Sequence, residues 1–358
     1  MNARTTSVKS YPSAKDQLCA PHTFTWGHVS QLEKVQDELL RRAWAAGAGP
    51  GADPVCIDVD STICETYGLQ KQGAKFGYTK VRGYHPLVAT LAGLDQVVGA
   101  RLRGGNVHTA RGAASFITRV FRRVRAAGAG GPMVMRADSG FYNRKVTQAC
   151  QEEGVAYSIT VKLSKSLLGK IAAIDEAAWT PIPYWMQGGA DVAEMAYRPF
   201  SPRHKEVRLI VRRTKPTPGT QLALLATYDY HAFVTDREGD TIELEADHRR
   251  HAVCEDTIRD LKYGVGLNHF PSGRFAANAA WLVFNLIAHN LGRWTERIGL
   301  GSEAAPMTTK TLRTRLLALP GRITTSGRKP TLHLPTRWPW KDQFNTVLDN
   351  LRAVVLVT

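Results

Sequence analysis

The chain has 358 residues, 43% hydrophobic and 22% charged, which is ordinary for a soluble protein with one large core or two modest ones. Its charge is not ordinary: 47 Lys and Arg against 31 Asp and Glu give a net +16, a balance suited to a polyanionic partner because each phosphate contact releases counterions. The five cysteines (Cys19, Cys56, Cys64, Cys150, Cys254) are odd in number and form no CxxC pair. This argues against a disulfide framework and a zinc ribbon, and favours a reducing cytosol.

In chain order, residues 1–22 read as irregular, with no apolar stretch of the kind a signal peptide carries. From Ser30 to Ala46 the apolar residues Leu32, Val35, Leu39 and Ala43 recur at helical spacing, with Ser30 as the expected N-cap. GAGPGADP (47–54) breaks the chain. Three strand-like runs follow, VCIDVD (55–60), HPLVATL (85–91) and QVVGARL (96–102). Glycines 104–105 make a tight turn rather than a phosphate loop, since no GK[ST] follows. The pattern then predicts a helix over 109–127, a strand PMVMRAD (132–138), a helix near 143–153 and a strand VAYSITV (155–161).

Between 164 and 245 the texture becomes β-rich, with runs at 191–199, 206–213 and 221–236 around the loop KPTPGT (215–220). The segment 246–264 reads as one helix ending at Gly264, and 275–298 as a second, largely buried one carrying Trp281 and Trp294 in the core. The most apolar run, 276–288, contains Asn278 and Asn285 and is too short to cross a bilayer, so no membrane partner is expected. The remaining basic, Pro-containing tail predicts little. The fold class expected is α/β, a mixed sheet with helices on its faces.

Carboxylates at the ends of apolar strands need explaining, because a desolvated charge requires a partner and a cation is the commonest one. Asp58 and Asp60 lie two apart at the end of the first strand, on the same face. Asp138 ends the fourth strand before a Ser-Gly turn, and Glu255 lies on the predicted 246–264 helix. Taken singly, each aspartate reads equally as a helix cap or turn former. Arg136, two before Asp138, reads as a phosphate contact or as an ion-pair partner. His248, His251, Glu255, Arg259 and Lys262 fall at i, i+3, i+7, i+11 and i+14. On one continuous helix they form a single stripe, a carboxylate between cationic donors. His248, His251 and Glu255 also have a spacing that a transition metal can use. Trp179, Tyr184 and Trp185 read as filling of a small β core or as a stacking surface for an extruded base.

Four stretches together, IDVDSTICETYGLQKQGAKFGYTKVRGYHPLVATL, GGNVHTARGA, MRADSGFY and HRRHAVCEDTIRDLKYGVGLNHFP, resemble the 1380-type insertion-sequence transposases of bacteria, which are DDE transposases. The resemblance covers about residues 23–345. It implies an RNase H-like catalytic core with a β-rich insertion before the catalytic glutamate. On the matching motif positions it implies Asp60, Asp138 and Glu255 as catalytic residues and ligands of two Mg²⁺ ions, with Mn²⁺ as a substitute. Arg136, His248, His251, Arg259 and Lys262 would be the DNA contacts. Lys262 matches a lysine of related transposases, whereas His248 and His251 stand where those carry Tyr and Arg.

The organisation implied is an N-terminal helix and linker (1–53), a first part of the core (54–163), the insertion (164–245), a second part with the Glu helix and a packing helix (246–300), and a basic C-terminal region (301–358). Only 59 residues precede Asp60, so the DNA-binding region of the family is expected to be largely missing. The function implied is Mg²⁺-dependent DNA strand cleavage and strand transfer in the cytoplasm, associated with the nucleoid. The partners would be double-stranded element ends and target DNA, with a homodimer in the DNA complex. Two rivals stand beside it: a truncated or domesticated transposase that only binds DNA, and an RNase H-like nuclease.

Overall fold

A computed structural model of the chain describes residues 24–77, 79–184, 188–200, 204–215, 228–335 and 337–354. The first helix, α1 (Trp26–Ala43), starts four residues before the expected cap. Thr25, not Ser30, closes it: the Thr25 hydroxyl accepts from His28 N–H, and His28 Nδ1 accepts from Thr25 N–H. This reciprocal pair satisfies two of the orphan donors at the helix start.

Nine strands form one sheet: β1 (Val55–Ser61), β2 (Leu87–Leu91), β3 (Gln96–Arg101), β4 (Met133–Ala137), β5 (Ala156–Thr160), β6 (Thr180–Ile182), β7 (Ala190–Tyr197), β8 (Val207–Thr214) and β9 (Asp229–Thr235). Their spatial order is β3-β2-β1-β4-β5-β9-β8-β7-β6. The two pairs β1–β4 and β4–β5 are parallel and the other pairs are antiparallel. The β-rich stretch therefore does not stand apart. Its last strand, β9, pairs with β5 through Phe233–Thr160, Val234–Ile159 and Thr235–Ser158, so its strands extend the central sheet. The predicted run 221–236 is described only from Tyr228 onward, and 221–227 lie outside the described residues.

The alternation of side chains sorts the cores. Leu87, Ala89 and Leu91 join Ile57, Val59, Met135 and the helix α2 (Ala113–Ala126) in one buried layer, where Phe116, Ile117, Val120, Phe121 and Val124 are all at most 1% exposed. Helix α3 (Arg144–Glu152) joins the same layer through Val146, Ala149 and Cys150. Val88 and Val97 point the other way, into a second layer with Ile258, Leu261, Leu282, Val283 and Leu286. The result is a mixed sheet covered by helices on both faces.

After helix α4 (Lys165–Ala172) and the last four strands, the chain departs from expectation. The predicted single helix over 246–264 is two helices, α5 (Thr241–Arg249) and α6 (Cys254–Tyr263), joined by a tight 3₁₀ turn at Arg250–Val253. Asp240 caps α5 by accepting from Ile242 and Glu243 N–H. The long helix α7 (Phe275–Leu300) follows; it buries Trp294 but leaves Trp281 only partly covered. The C-terminal region holds a hairpin (Arg322–Ser326 with Lys329–His333) and helix α8 (Lys341–Ala353), whose Val347 packs over Gly299 of α7. Among the described residues no helix is long and apolar enough to cross a membrane.

Candidate active site

Strands β1 and β4 run parallel with Asp58 beside Arg136 and Val59 beside Ala137. The next residues are Asp60 and Asp138, so two acids leave adjacent parallel strands at the same level, at their C-terminal ends. In open α/β sheets such ends are where ligands bind. Because side chains alternate, the same face carries two successive layers, Asp58 with Arg136 and then Asp60 with Asp138.

The inner layer is neutralised. Arg136 Nε and Nη2 each donate to one oxygen of Asp58 at 2.8 Å, and both side chains are 2% exposed. Arg136 Nη1 donates to the main-chain and side-chain oxygens of Asp247, whose other oxygen is held by Arg237. His251 Nδ1 donates to Asp58 Oδ1 at 2.8 Å, since a carboxylate paired with a guanidinium can only accept. His248 is locked one turn earlier. Its ring nitrogens meet the hydroxyls of Ser158 at 2.8 Å and Thr160 at 2.9 Å, and its ring stacks on Phe233 with centroids 4.1 Å apart. Burial pushes the pKa of His248 well below the usual value, so it is neutral. Three consecutive attachments, through Asp247, His248 and His251, bend the chain between α5 and α6.

The outer layer is not neutralised. Asp60 is half-buried and accepts Ser61 N–H at 2.6 Å. Desolvation raises its pKa from 3.8 to about 6. The Ser61 N–H opposes that rise, Asp138 and Glu255 add to it, and His251 pulls against it. Asp138 accepts Gly140 N–H at 3.0 Å as the cap of a short turn, and the surrounding atoms displace enough water to raise its pKa as well. Beside Asp60, Ser61 Oγ lies 2.9 Å from His85 Nε2, and His85 Nδ1 lies 3.0 Å from the Val107 carbonyl. The carbonyl can only accept, which leaves Nε2 to accept from the serine.

An open cleft of about 300 Å³ joins Asp60 and Thr62 to the exposed side of α6, where Glu255, Ile258, Arg259, Lys262 and Tyr263 line it. Glu255 is exposed, and Arg259 pairs at 2.9 Å with Asp256 while keeping most of its surface in solvent. Asp138 stands outside that lining. Among the described residues no group of three His, Cys, Asp or Glu is arranged around one point as a metal site.

The structure thus brings Asp60 next to Asp138, and Asp60, Glu255, Arg259 and Lys262 around one cleft. It does not bring out Arg136 or His248. At 1% and 4% exposure and fully engaged, neither can reach a phosphate, and both leave the set of expected DNA contacts. The alternatives for Arg136 resolve to the ion pair. The stripe of five residues is broken by the 3₁₀ turn, so His248 and His251 point into the sheet while Glu255 does not. Trp179 is buried under the Arg213 guanidinium at 4.3 Å, and Tyr184 lies between Arg212 and Arg249, whereas Trp185 lies outside the described residues. Sequence reasoning passed over Asp247, Arg237 and His85. The first two lie in charged surroundings that look solvated, and nothing local to His85 signals that it reaches Ser61.

Among solved structures the chain is similar to piggyBac transposase in a synaptic complex with hairpin DNA, at 14% identity and a TM-score of 0.43. The similarity covers 74% of this chain and 51% of that one, so this chain spans about half the length of that transposase. None of the curated proteins matches it. The family described as "Transposase DDE domain group 1" matches over residues 21–356, nearly from end to end, and the protein belongs to it.

Proposed function

We propose that this chain is a DNA transposase of the 1380-type bacterial insertion sequences, cutting and rejoining DNA strands on an RNase H-like core. Asp60, Asp138 and Glu255 are its catalytic residues. The observation that carries the reading is the pair of acids Asp60 and Asp138, set at one level on adjacent parallel strands, with Glu255 across the cleft that Asp60 lines. The central strand order β3-β2-β1-β4-β5, antiparallel on one side of β1 and parallel on the other, is consistent with that core.

The donors suit a hard divalent cation, Mg²⁺ with Mn²⁺ as substitute. All three are carboxylates, and burial, with Asp138 and Glu255 nearby, keeps a proton on Asp60 to about pH 6. They are not closed around one point in this conformation. When bound, a pair of such ions activates the attacking hydroxyl and neutralises the leaving oxygen in phosphodiester chemistry. The chain's own residues do the positioning. Arg259 and Lys262 offer donors to phosphate oxygens along the cleft. His251, tied to Asp58, fastens the turn that presents Glu255, and the Ser61–His85 pair holds the backbone next to Asp60. Double-stranded element ends and target DNA are the substrates in this reading. The chain works as a homodimer on paired ends, in the cytoplasm at the nucleoid.

DNA binding without cleavage is the second reading, favoured by the open arrangement of the three donors. The two are separated with plasmid DNA that carries the sequences bordering the gene, incubated with Mg²⁺ or Mn²⁺. Cleavage is expected with either ion, and Asp60→Ala and Asp138→Ala should each lower its rate by about a thousandfold or more. Binding without cutting in the unaltered protein would instead select the second reading. Faster cutting of an RNA–DNA hybrid than of the plasmid would point to a nuclease.

A further inference from the structure

Two residues past the cleft-lining Thr62, the chain leaves the large sheet and returns to it only at β2. The excursion forms a small three-stranded sheet of Cys64–Glu65, Arg82–Tyr84 and Lys75–Phe76, with Arg82–Tyr84 in the middle. It is braced within itself and tied to the segment before α7. Arg82 donates to the carbonyls of Gly68 and Leu69, Lys71 Nζ donates to the Phe270 carbonyl, and Tyr84 Oη donates to the Gln72 carbonyl at 2.8 Å. Gln72 also exchanges hydrogen bonds with the start of α7, accepting from Phe275 N–H and donating to the Gly273 carbonyl.

On this fixed base three large apolar side chains face water: Tyr67 is 80% exposed, Leu69 90% and Phe76 66%. Arg82 links the segments that carry them. Arg82 grips the 68–69 turn that carries the first two, and its strand partner is Phe76. Isolated exposed apolar residues need no explanation, but three carried by one braced excursion offer a surface. The surroundings are basic: from Cys64 to Tyr84 the chain has Lys71, Lys75, Lys80 and Arg82 against the single acid Glu65, and Lys75 and Lys80 are exposed. The cleft is close by, since Thr62 of its lining stands two residues before Cys64.

We propose that the 64–84 excursion is a docking platform for an unpaired stretch of DNA next to the cleft, with Tyr67, Phe76 and Leu69 receiving base faces and Lys75 and Lys80 its phosphates. This rests on the reading of the cleft as a DNA-processing site. Flat rings rimmed by ammonium groups match single-stranded nucleic acid, whose bases expose the π-faces that a duplex hides. A protein partner of apolar character would gain nothing from the lysines, and duplex DNA nothing from the rings.

The test compares a fluorescent duplex carrying a single-stranded extension with the same duplex made blunt, by anisotropy at fixed salt. A Tyr67→Ala, Phe76→Ala double variant should bind the extended probe about tenfold or more weakly and the blunt one within about twofold of the unaltered protein, because stacking on each ring is worth roughly one to two orders of magnitude in affinity. The exposed positions should leave the melting temperature unchanged, and the Tyr67→Phe, Phe76→Tyr variant should restore binding. Equal losses on the two probes, or none, would overturn the platform while leaving the cleft reading intact. So would a change in the oligomeric state of the double variant, or loss of a cross-link to residues 1–23, either of which would assign the surface to contacts within or between copies of the chain. If the unaltered protein binds neither probe at low salt, the DNA reading of the cleft falls with it.

Discussion

Two layers of the same strand pair, 58/136 and 60/138, differ only in one step along β1 and β4, yet their chemistry is opposite. In the inner layer an acid faces a base. Asp58 receives two guanidinium N–H groups and an imidazole N–H, and everything there is saturated. In the outer layer an acid faces an acid, and among the described residues Asp60 accepts one hydrogen bond, from the Ser61 N–H. The difference teaches how a sheet end can be both rigid and reactive. The closed layer spends its polarity on structure, bracing β1, β4 and the α5–α6 turn against one another. The open layer is left short of positive charge.

That comparison can be broken most forcefully at the inner layer. Asp58→Ala leaves the Arg136 guanidinium buried without its main partner, and loss of one member of such a pair costs about 3–5 kcal/mol. Urea unfolding of the two alanine variants should place Asp58→Ala far below the parent and Asp60→Ala near or above it. Equal losses would mean that the two layers are not distinct.

A smaller effect of opposite sign is expected from Asp60→Asn. The folded pKa of Asp60, about 6, lies above its ordinary 3.8, so the unfolded chain ionises first as pH rises. The native state is therefore penalised progressively between about pH 4 and pH 6 and fully above that, by on the order of 1–3 kcal/mol. Removing the charge should stabilise the protein at pH 7–8 without added cation, and the gain should fade as pH drops towards 4. A gain that persists at pH 4 would show that it is not electrostatic. Mg²⁺ should raise the melting temperature of the parent more than that of the variant.

The smallest effect tests the bridge between the layers. His251→Ala removes one donor from Asp58, worth about 1–2 kcal/mol of stability, and frees the turn before Glu255. The Mn²⁺ concentration that half-saturates cleavage should rise by roughly tenfold, as for other outer-shell changes at metal sites, while cleavage at saturating Mn²⁺ recovers. His251→Gln keeps an N–H for Asp58 and should lie close to the parent. If the two variants behave alike, the link between His251 and Glu255 is absent.

Much of the fold was legible because it rests on local periodicity. The apolar runs of β1, β2, β3, β4 and β5 and the stripe of α2 each carry their own burial pattern, and the observed elements match them to within a few residues. The period of two also put Asp58 with Asp60, and Arg136 with Asp138, on common faces. Where reading failed, the deciding contacts were distant in sequence. The 246–264 segment has unbroken helical character, but it bends because Asp58, Arg136, Ser158 and Thr160 hold it at three points. Thr25 outcompetes Ser30 as a cap only through its reciprocal bond with His28.

By itself, then, the sequence determined which residues could be buried, which acids end strands, and, through four matching stretches, the kinship with DDE transposases. The matching motif positions set Asp60 ahead of Asp58, but the sequence could not tell a phosphate-binding arginine from one locked in an ion pair, because those differ only in what lies opposite. Register between β1 and β4 decided it. One parallel pairing set Asp58 against Arg136 and Asp60 against Asp138, closing one layer and leaving the other open. A pairing is a property of two strands separated by more than seventy residues, and no window along the chain contains both.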